Sequence, residues 1–230
     1  MRAVTIILAR AGSKGLPGKN HALLRDRPLC DHTFDHALAS GRAPRVLVST
    51  DSPEVAAAAA ARGLPVVDRP AELAGDTATV DAAARHACPI DADAVVILYA
   101  NVPVRPPTLI DDALEKLAAT GCDSVQSVCP VGKFHPAWMK HVDGDRLLPN
   151  PHYTGPGGFR RQDLPPLYQL DGGIIAVTRA SLMRTDPDDP HAFLGDDRRA
   201  VITGSGDVID VDTPLDLVIA DAVLSSRAAP

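Results

Sequence analysis

Short apolar strands alternate with helix-forming segments along the sequence, and this alternation constrains the fold more than any other feature. Runs rich in valine, isoleucine and leucine lie at Val4–Leu8, Arg45–Ser49, Ala94–Leu98 and Ser124–Val128. Segments of helical propensity or spacing lie at Pro53–Arg62, Thr79–Ala87 and Thr108–Ala119. Such alternation is typical of a parallel sheet with helices on both faces. We therefore predict an α/β fold whose ligand crevice lies at the carboxyl ends of the strands.

The loop after the first strand has the composition of an anion-binding site. Its glycines lack a Cβ, so successive backbone N–H groups can converge on a phosphate, and its cations supply countercharge. Ser13 and Asn20 add side-chain hydrogen-bond donors. The residues concerned are Gly12, Gly15, Gly18, Arg10, Lys14 and Lys19. An ordinary turn with solvated lysines is the alternative, but three glycines and three cations in one loop favour phosphate binding.

Two common nucleotide motifs do not fit this loop. A P-loop has four residues between its first glycine and the Gly-Lys pair, followed by Ser or Thr. Here five residues separate Gly12 from Gly18, and Asn20 follows Lys19. The dinucleotide pattern Gly-x-Gly-x-x-Gly is also absent. The loop is therefore predicted to bind a nucleotide in another way.

Composition limits the partners and the organisation of the chain. Its 230 residues are 45% hydrophobic and carry a net charge of −6, which suits one domain over residues 1–230 and argues against nucleic acid as the partner. No apolar run is long enough to cross a membrane, and the N-terminus lacks the pattern of a signal peptide. The four cysteines have no disulfide-rich or metal-binding spacing. We expect a cytoplasmic protein with no membrane partner.

Five segments together resemble the acylneuraminate cytidylyltransferases. They are Leu8–Asn20, Ser49–Asp51, Arg69–Leu73, Arg161–Pro165 and Asp210–Asp216, so the resemblance covers nearly the whole chain. Leu16–Lys19 is also similar to the related enzymes that activate ketodeoxyoctulosonate. The resemblance implies a three-layer, Rossmann-like nucleotidyltransferase fold with a mostly parallel sheet, CTP as the donor and Mg²⁺ as the cofactor.

The resemblance also assigns roles in nucleotide transfer. The implied catalytic residues are Arg10, Lys19, Asp210 and Asp212. The implied nucleotide-binding residues are Leu8, Ala9, Arg10, Gly12, Ser13, Lys14, Lys19, Asn20, Arg69 and Asp76. In the implied reaction a hydroxyl group of the acceptor attacks the α-phosphorus of CTP and pyrophosphate leaves, a step that depends on positioning and charge neutralisation.

Asp210 and Asp212 form the predicted metal site. The segment Asp207–Asp212 has the pattern of a last strand, on which residues two apart share a face. Two carboxylates near a phosphate loop suit Mg²⁺. The alternative is structural, with Asp210 ending the strand and Asp212 shaping the turn into a helix at Pro214–Ser225 that Thr213 caps. Asp210 is also a candidate to polarise the attacking hydroxyl group.

The segment of about residues 130–168 interrupts the alternating pattern with Pro, Gly, His and charged residues. A flexible flap is one interpretation. The resemblance implies a projecting dimerisation arm inserted in the single domain, and hence a homodimer. Beyond it, Gly172–Val177 has the pattern of a strand and Arg179–Thr185 that of a short helix.

The acceptor pocket departs from the sialic acid pattern. Tyr99 stands where the family has glutamine, and Asp171 stands where it has asparagine. The candidate acceptor-binding residues are Tyr99, Asn101, Gln162, Tyr168, Asp171 and Phe193. The acceptor is expected to be a small acid, most simply a sialic acid-like or octulosonic 2-keto-3-deoxy sugar acid, with a phosphonate as the alternative.

Two further interpretations stay open at this point. One is a transferase that uses UTP or another nucleotide with a sugar-1-phosphate, since paired carboxylates suit that reaction as well. The other is a non-catalytic nucleotide-binding homologue, motivated by the replaced acceptor contacts at Tyr99 and Asp171.

Overall fold

A seven-stranded sheet forms the centre of the computed structural model, which describes residues 1–12 and 15–228. The strands in chain order are β1 Ala3–Ala9, β2 Leu23–Leu24, β3 Arg27–Pro28, β4 Arg45–Thr50, β5 Val66–Asp68, β6 Ala94–Tyr99, β7 Ser124–Pro130, β8 Lys140–Asp143, β9 Arg146–Pro149, β10 Tyr168–Thr178 and β11 Arg198–Ile202. The central sheet has the order β11-β7-β10-β6-β1-β4-β5. Strand β10 runs antiparallel to β6 and β7, and the other neighbouring pairs are parallel. The prediction of a mostly parallel sheet is confirmed.

Helices cover both faces of the sheet. They are α1 Leu29–Ala39, α2 Pro53–Ala61, α3 Val80–Ala87, α4 Leu109–Thr120, α5 Arg179–Leu182 and α6 Pro214–Ala228. One core cluster joins α1, α2 and α4 to one face of the sheet, and another joins α3 and α5 to the opposite face. This arrangement is the predicted three-layer α/β architecture.

The predicted strands and helices in the first half of the chain are confirmed, with small shifts at their ends. In the second half, the predicted strand Gly172–Val177 lies inside the longer β10, and the predicted helix Arg179–Thr185 ends at Leu182. Helix α1 and the edge strands β5 and β11 were not predicted.

The prediction of a last strand at Asp207–Asp212 is wrong. This segment makes an isolated antiparallel bridge from Ile209 to Val104, and the last strand of the sheet is β11 instead. Strand β11 occupies the position beside β7, so the later segment is left to cross the ends of the strands. The backbone of Val211 is held there by the backbone carbonyl of Asn101 at 2.9 Å.

The start of α6 follows the predicted capping pattern. The Asp216 carboxylate accepts from the backbone N–H of Thr213 at 2.7 Å, and the Thr213 hydroxyl accepts from the backbone N–H of Asp216 at 3.4 Å. These reciprocal bonds satisfy N–H groups that a helix N-terminus otherwise leaves unpaired. They also fix the chain directly after Asp212.

The segment between β7 and β10 contains the antiparallel pair β8 and β9, which forms a separate sheet. Strand β8 is exposed along its whole length. Among the described residues, no helix is both long enough and apolar enough to cross a lipid bilayer.

Candidate active site

The segments that follow β1 and β5, the end of β6 and the start of α3 surround a cavity of about 280 Å³. Both polar and apolar side chains line it. The polar and aromatic lining residues are Arg10, Lys19, Asn20, Arg69, Asp76, Thr79, Tyr99 and Asn101. The cavity lies where a parallel sheet is expected to bind its ligand.

The glycine-rich loop lies directly against the Asp212 segment. A Cβ on Gly15 would lie 2.6 Å from the backbone carbonyl oxygen of Asp212, so this close approach requires glycine. Gly18 has φ of +67°, a left-handed conformation that glycine adopts without strain. The predicted binding residues Ser13 and Lys14 lie outside the described residues, and Gly12 is exposed with open space around its Cα.

Lys19 joins the loop to the predicted metal site. Its Nζ lies 2.5 Å from Oδ1 of Asp212, and the Lys19 side chain is 17% exposed. Lys19 also lines the cavity. A cation between the cavity and a carboxylate can exchange this carboxylate for a phosphate oxygen of a bound nucleotide.

Two further aspartates bind the same loop. Arg10 donates to Oδ1 of Asp76 at 3.0 Å across the mouth of the cavity, and the backbone N–H of Ala11 donates to Oδ1 of Asp51 at 2.7 Å. Acidic groups therefore occupy several donors of the loop.

Arg69 is fixed beneath the cavity by the end of β4. Its guanidinium donates to Oγ of Ser49 at 3.1 Å and to the Ser49 carbonyl at 2.7 Å. Burial lowers the pKa of Arg69 from its ordinary value. The predicted nucleotide-binding residue Arg69 is buried.

Asn20 provides a polar group that no described protein residue satisfies. Its Nδ2 donates to the Arg10 carbonyl at 2.9 Å, while its Oδ1 is buried without a hydrogen-bond partner. Because burying an unpaired acceptor is costly, such an atom at a cavity wall is suited to accept from a ligand. Leu8, from the end of β1, lines the same cavity, and Ala9 is buried in the sheet beside it.

Asp210 and Asp212 lie on an irregular segment in place of the predicted strand and contact two residues that line the cavity, Asn101 and Lys19. Oδ1 of Asp210 accepts a short hydrogen bond from Asn101, whose Nδ2 also donates to the Val211 carbonyl at 3.1 Å. Partial desolvation and the neighbouring charge of Asp212 raise the pKa of Asp210 to about 6. The neighbouring carboxylates repel one another, which is the second cause of this shift after burial.

Tyr99 and Asn101 are the predicted acceptor residues that line the cavity. Burial and the charge of Asp210 raise the pKa of the Tyr99 phenol. The aromatic ring thus lies where the sequence comparison expected an amide.

The other predicted acceptor residues are not gathered around this cavity. Gln162 is exposed and Tyr168 is 46% exposed, both near the segment between β7 and β10. Phe193 packs in the buried cluster behind α3 and α5. Asp171 accepts hydrogen bonds from Ser127, Gly173 and Thr203.

Arg105 is a functional candidate that the sequence interpretation missed. Its side chain is 1% exposed and donates to the carbonyl groups of Gly173, Val102 and Tyr99. Burial lowers its pKa to about 9. An arginine that follows the apolar run 102–104 was the available signal, because a charge in such a context is often buried and paired.

The sequence profile of a family described as "Cytidylyltransferase" matches residues 4–141, more than half of the chain. The chain belongs to the cytidylyltransferase family. The predicted family and the class of enzyme, a nucleotidyltransferase, are thereby confirmed.

Sequence similarity to known proteins extends along nearly the whole length of this cytidylyltransferase. CMP-N,N'-diacetyllegionaminic acid synthase of Legionella pneumophila is 32% identical over 238 residues, which covers 97% of each chain. N-acylneuraminate cytidylyltransferase of Streptococcus agalactiae is 34% identical over 191 residues, which covers 80% of this chain but 45% of that relative. The chain therefore spans less than half of the streptococcal protein.

A solved structure confirms the fold of the cytidylyltransferase. CMP:2-keto-3-deoxy-manno-octonic acid synthetase in complex with CTP superposes with a TM-score of 0.74 at 21% identity, over 99% of this chain and 100% of that one. The predicted three-layer nucleotidyltransferase fold thus has a structural counterpart along its whole length.

Proposed function

We propose that this enzyme transfers CMP from CTP to a hydroxyl group of a 2-keto-3-deoxy sugar acid, with release of pyrophosphate. One observation carries the proposal: Lys19, a cation of the glycine-rich loop that lines the crevice, is paired with Asp212 from the far end of the chain, two residues after Asp210. The names of the relatives, which make CMP esters of diacetyllegionaminic acid or act on N-acylneuraminate, support an acidic sugar as the acceptor.

Arg10 and Lys19 are proposed to bind the triphosphate. Each holds an aspartate in the ligand-free protein, at 3.0 and 2.5 Å, and each can exchange this carboxylate for phosphate oxygens. Arg69 and Asn20 are proposed to bind the nucleoside, since both are fixed at the cavity wall. The acceptor then lies beside Tyr99 and the carboxylates.

The residues present fit Mg²⁺. Asp210 and Asp212 are two hard oxygen ligands whose mutual repulsion, visible in the raised pKa of Asp210, a divalent cation would relieve. Mg²⁺ commonly binds through one or two carboxylates together with substrate phosphates. When bound, it would neutralise charge on the transferring phosphate and the leaving pyrophosphate. Asn101 holds Asp210 in place for this role.

The decisive experiment measures release of pyrophosphate with CTP and Mg²⁺ against a panel of 2-keto-3-deoxy sugar acids and small phosphonates. The panel is repeated with UTP, ATP and GTP. We expect release with CTP and a sugar acid. Release with a phosphonate alone would keep the chemistry but change the acceptor, whereas CTP binding without any release would favour a non-catalytic homologue.

We also propose a homodimer built through the segment between β7 and β10. This segment and the adjoining start of β10 expose several large apolar side chains: Phe134, Met139, Val142, Leu147, Phe159, Tyr168 and Leu170. Phe159 is 98% exposed, and a cluster of this kind suits a protein interface. Light scattering should give twice the chain mass for the wild-type protein and a lower mass for Leu147→Lys. A monomeric wild type would refute the dimer.

A cytoplasmic location is proposed on two grounds. CTP is an intracellular nucleotide, and Cys30, Cys88, Cys122 and Cys129 are all free thiols, as is usual in a reducing compartment. Fractionation of cells that express the protein tests it.

A further inference from the structure

Asp171 is bound on both carboxylate oxygens by protein donors. Oδ1 accepts a short hydrogen bond from the Ser127 hydroxyl and another from the backbone N–H of Gly173 at 2.9 Å. Oδ2 accepts from the hydroxyl of Thr203 at 2.6 Å. Ser127 lies on β7 and Thr203 directly follows β11, so Asp171 joins three strands of the sheet. An acceptor contact at Asp171 would have to compete with these bonds.

The bonds hold an irregular turn of backbone at the start of β10. The pairing of β10 with β7 shifts register between Leu170 and Ile175, and Gly172 has φ of +74°. A Cβ on Gly173 would lie 2.8 Å from Oγ of Ser127 and 2.9 Å from Cγ2 of Val208, so the backbone is closely packed there. We call residues 171–173 the β10 bulge.

The β10 bulge packs against the predicted catalytic carboxylate. The position of a Cβ on Gly172 is 3.6 Å from Oδ2 of Asp210. The other oxygen of Asp210 is held by Asn101. The bulge therefore forms one wall beside Asp210, and the loop after β6 holds the opposite side.

Arg105 connects the β10 bulge to that loop. Its Nε donates to the Gly173 carbonyl at 2.7 Å, and its guanidinium donates to the Tyr99 carbonyl at 2.9 Å. All its hydrogen bonds within the described residues are to neutral groups, and Asp171 and Asp210 are the carboxylates that act on its charge. A buried cation needs such compensation, because desolvation of an unpaired charge is costly.

We propose that Asp171 is a positioning residue of the transfer reaction, which holds the β10 bulge and thereby the place of Asp210, and is not a contact of the acceptor. This inference rests on the proposed function of the site. In-line transfer depends on exact placement of the reacting groups, and a displacement of about 1 Å can cost about 100-fold in rate. The Asp171 carboxylate thus acts through the β10 bulge and does not touch the acceptor.

Kinetics of four variants separate positioning from contact. Asp171→Ala removes the carboxylate, and Thr203→Val removes the hydroxyl group that donates to it. We expect each change to lower kcat by about 10- to 100-fold. The KM for the acceptor and the affinity for CTP should change less than about threefold. Asp171→Asn should recover most of the loss, because its oxygen still accepts from Ser127 and Gly173. Asp196→Asn, whose side chain is 86% exposed, is the matched control.

An acceptor contact would behave differently. Asp171→Ala would then raise the acceptor KM and leave kcat near the wild-type value, and Thr203→Val would be silent. Either result overturns the proposal. If Asp171→Ala fails to fold, as thermal unfolding will show, Thr203→Val carries the test by the same criteria, with Asp171→Asn expected to stay near the wild type.

Hydrogen exchange of the ligand-free protein gives a readout that needs no turnover. The backbone N–H of Ile209 and that of Val211 are bonded to Val104 and Asn101. We expect Asp171→Ala and Thr203→Val to accelerate exchange at residues 208–212, and Asp196→Asn to leave it unchanged. If hydrogen exchange at residues 208–212 is unchanged in both variants, Asp171 does not hold Asp210 in place and the proposal is refuted. Absence of pyrophosphate release by the wild type refutes the proposed function alone.

Discussion

At the scale of single residues, the candidate site contains ion pairs that the proposed binding of CTP would have to rearrange. Lys19 holds Asp212 and Arg10 holds Asp76. Each pair satisfies a charge that would otherwise lie unpaired at the wall of the crevice. Binding of a triphosphate can replace these aspartates without leaving a cation exposed, which keeps the donors preorganised.

Replacement of Lys19 by alanine should lower kcat/KM by about 10³-fold, because a fixed cation at the triphosphate is lost from a partly enclosed site. Arg45→Ala is the control. It removes one positive charge from an ion pair of 2.9 Å with Asp91, at the start of β4 and so at the opposite end of the strands from the cavity. Pyrophosphate release measures activity, and thermal unfolding verifies the fold of each variant. Activity of Lys19→Ala equal to that of Arg45→Ala would refute the assigned role.

The sequence predicted which residues lie at the cavity better than it predicted the contacts that those residues make. Lys19, Asn20 and Tyr99 lie at one cavity because their segments follow strands of a parallel sheet, and that arrangement can be inferred from alternation alone. The burial of Arg69 and the bonds of Asp171 depend on contacts between distant segments. No local pattern reveals such contacts, so the burial of Arg69 and the hydrogen bonds of Asp171 could not be predicted from the sequence.

At the scale of elements, the N-terminus of α6 connects helix stability to the active site. The Asp216 carboxylate accepts from the backbone N–H of Asp212 at 3.0 Å as well as from Thr213. The capping interaction of the helix thereby also fixes the residue that pairs with Lys19. A change in the cap should be felt in both stability and catalysis.

Asp216→Ala should lower the free energy of unfolding by about 1 kcal/mol, the usual effect of removing a helix cap. Turnover should fall as well, since the loop that carries Asp212 is no longer held. Asp221→Ala is the matched control on the same helix, because Asp221 makes only an exposed pair of 3.9 Å with Arg25. Denaturant unfolding and pyrophosphate release test both effects. If Asp216→Ala is destabilised but fully active, the helix cap does not hold the active site in place.

The elements that escaped prediction share a physical reason. Strand β11 begins with Arg198 and Arg199 and lies at the edge of the sheet, where a strand is partly solvated and lacks an apolar run. Strand β5 has three residues at the other edge. In contrast, β1 and β6 are central and almost wholly buried, and their continuous apolar sequences identified them.

At the scale of the whole molecule, buried histidine makes the fold sensitive to acid. His36 lies in α1, where burial and the charge of Arg105 lower its pKa to about 4. The unfolded chain binds this proton at about pH 6.5. Between these values the unfolded state holds the extra proton, so the free energy of unfolding falls as the pH falls from about 6.5 to about 4. Above that interval the contribution of His36 is fully present.

The difference in unfolding free energy between the wild type and His36→Gln isolates this contribution. It should decrease by about 3 kcal/mol from pH 7 to pH 4, the value that follows from the lowered pKa at 1.36 kcal/mol per pKa unit. The pKa of Asp210 is raised to about 6, so its effect on the free energy of unfolding has the opposite sign. This contribution is the same in both proteins and cancels in the difference. Denaturant titrations at several pH values measure the difference. A difference independent of pH would mean that His36 is protonated in the folded protein as readily as in the unfolded chain.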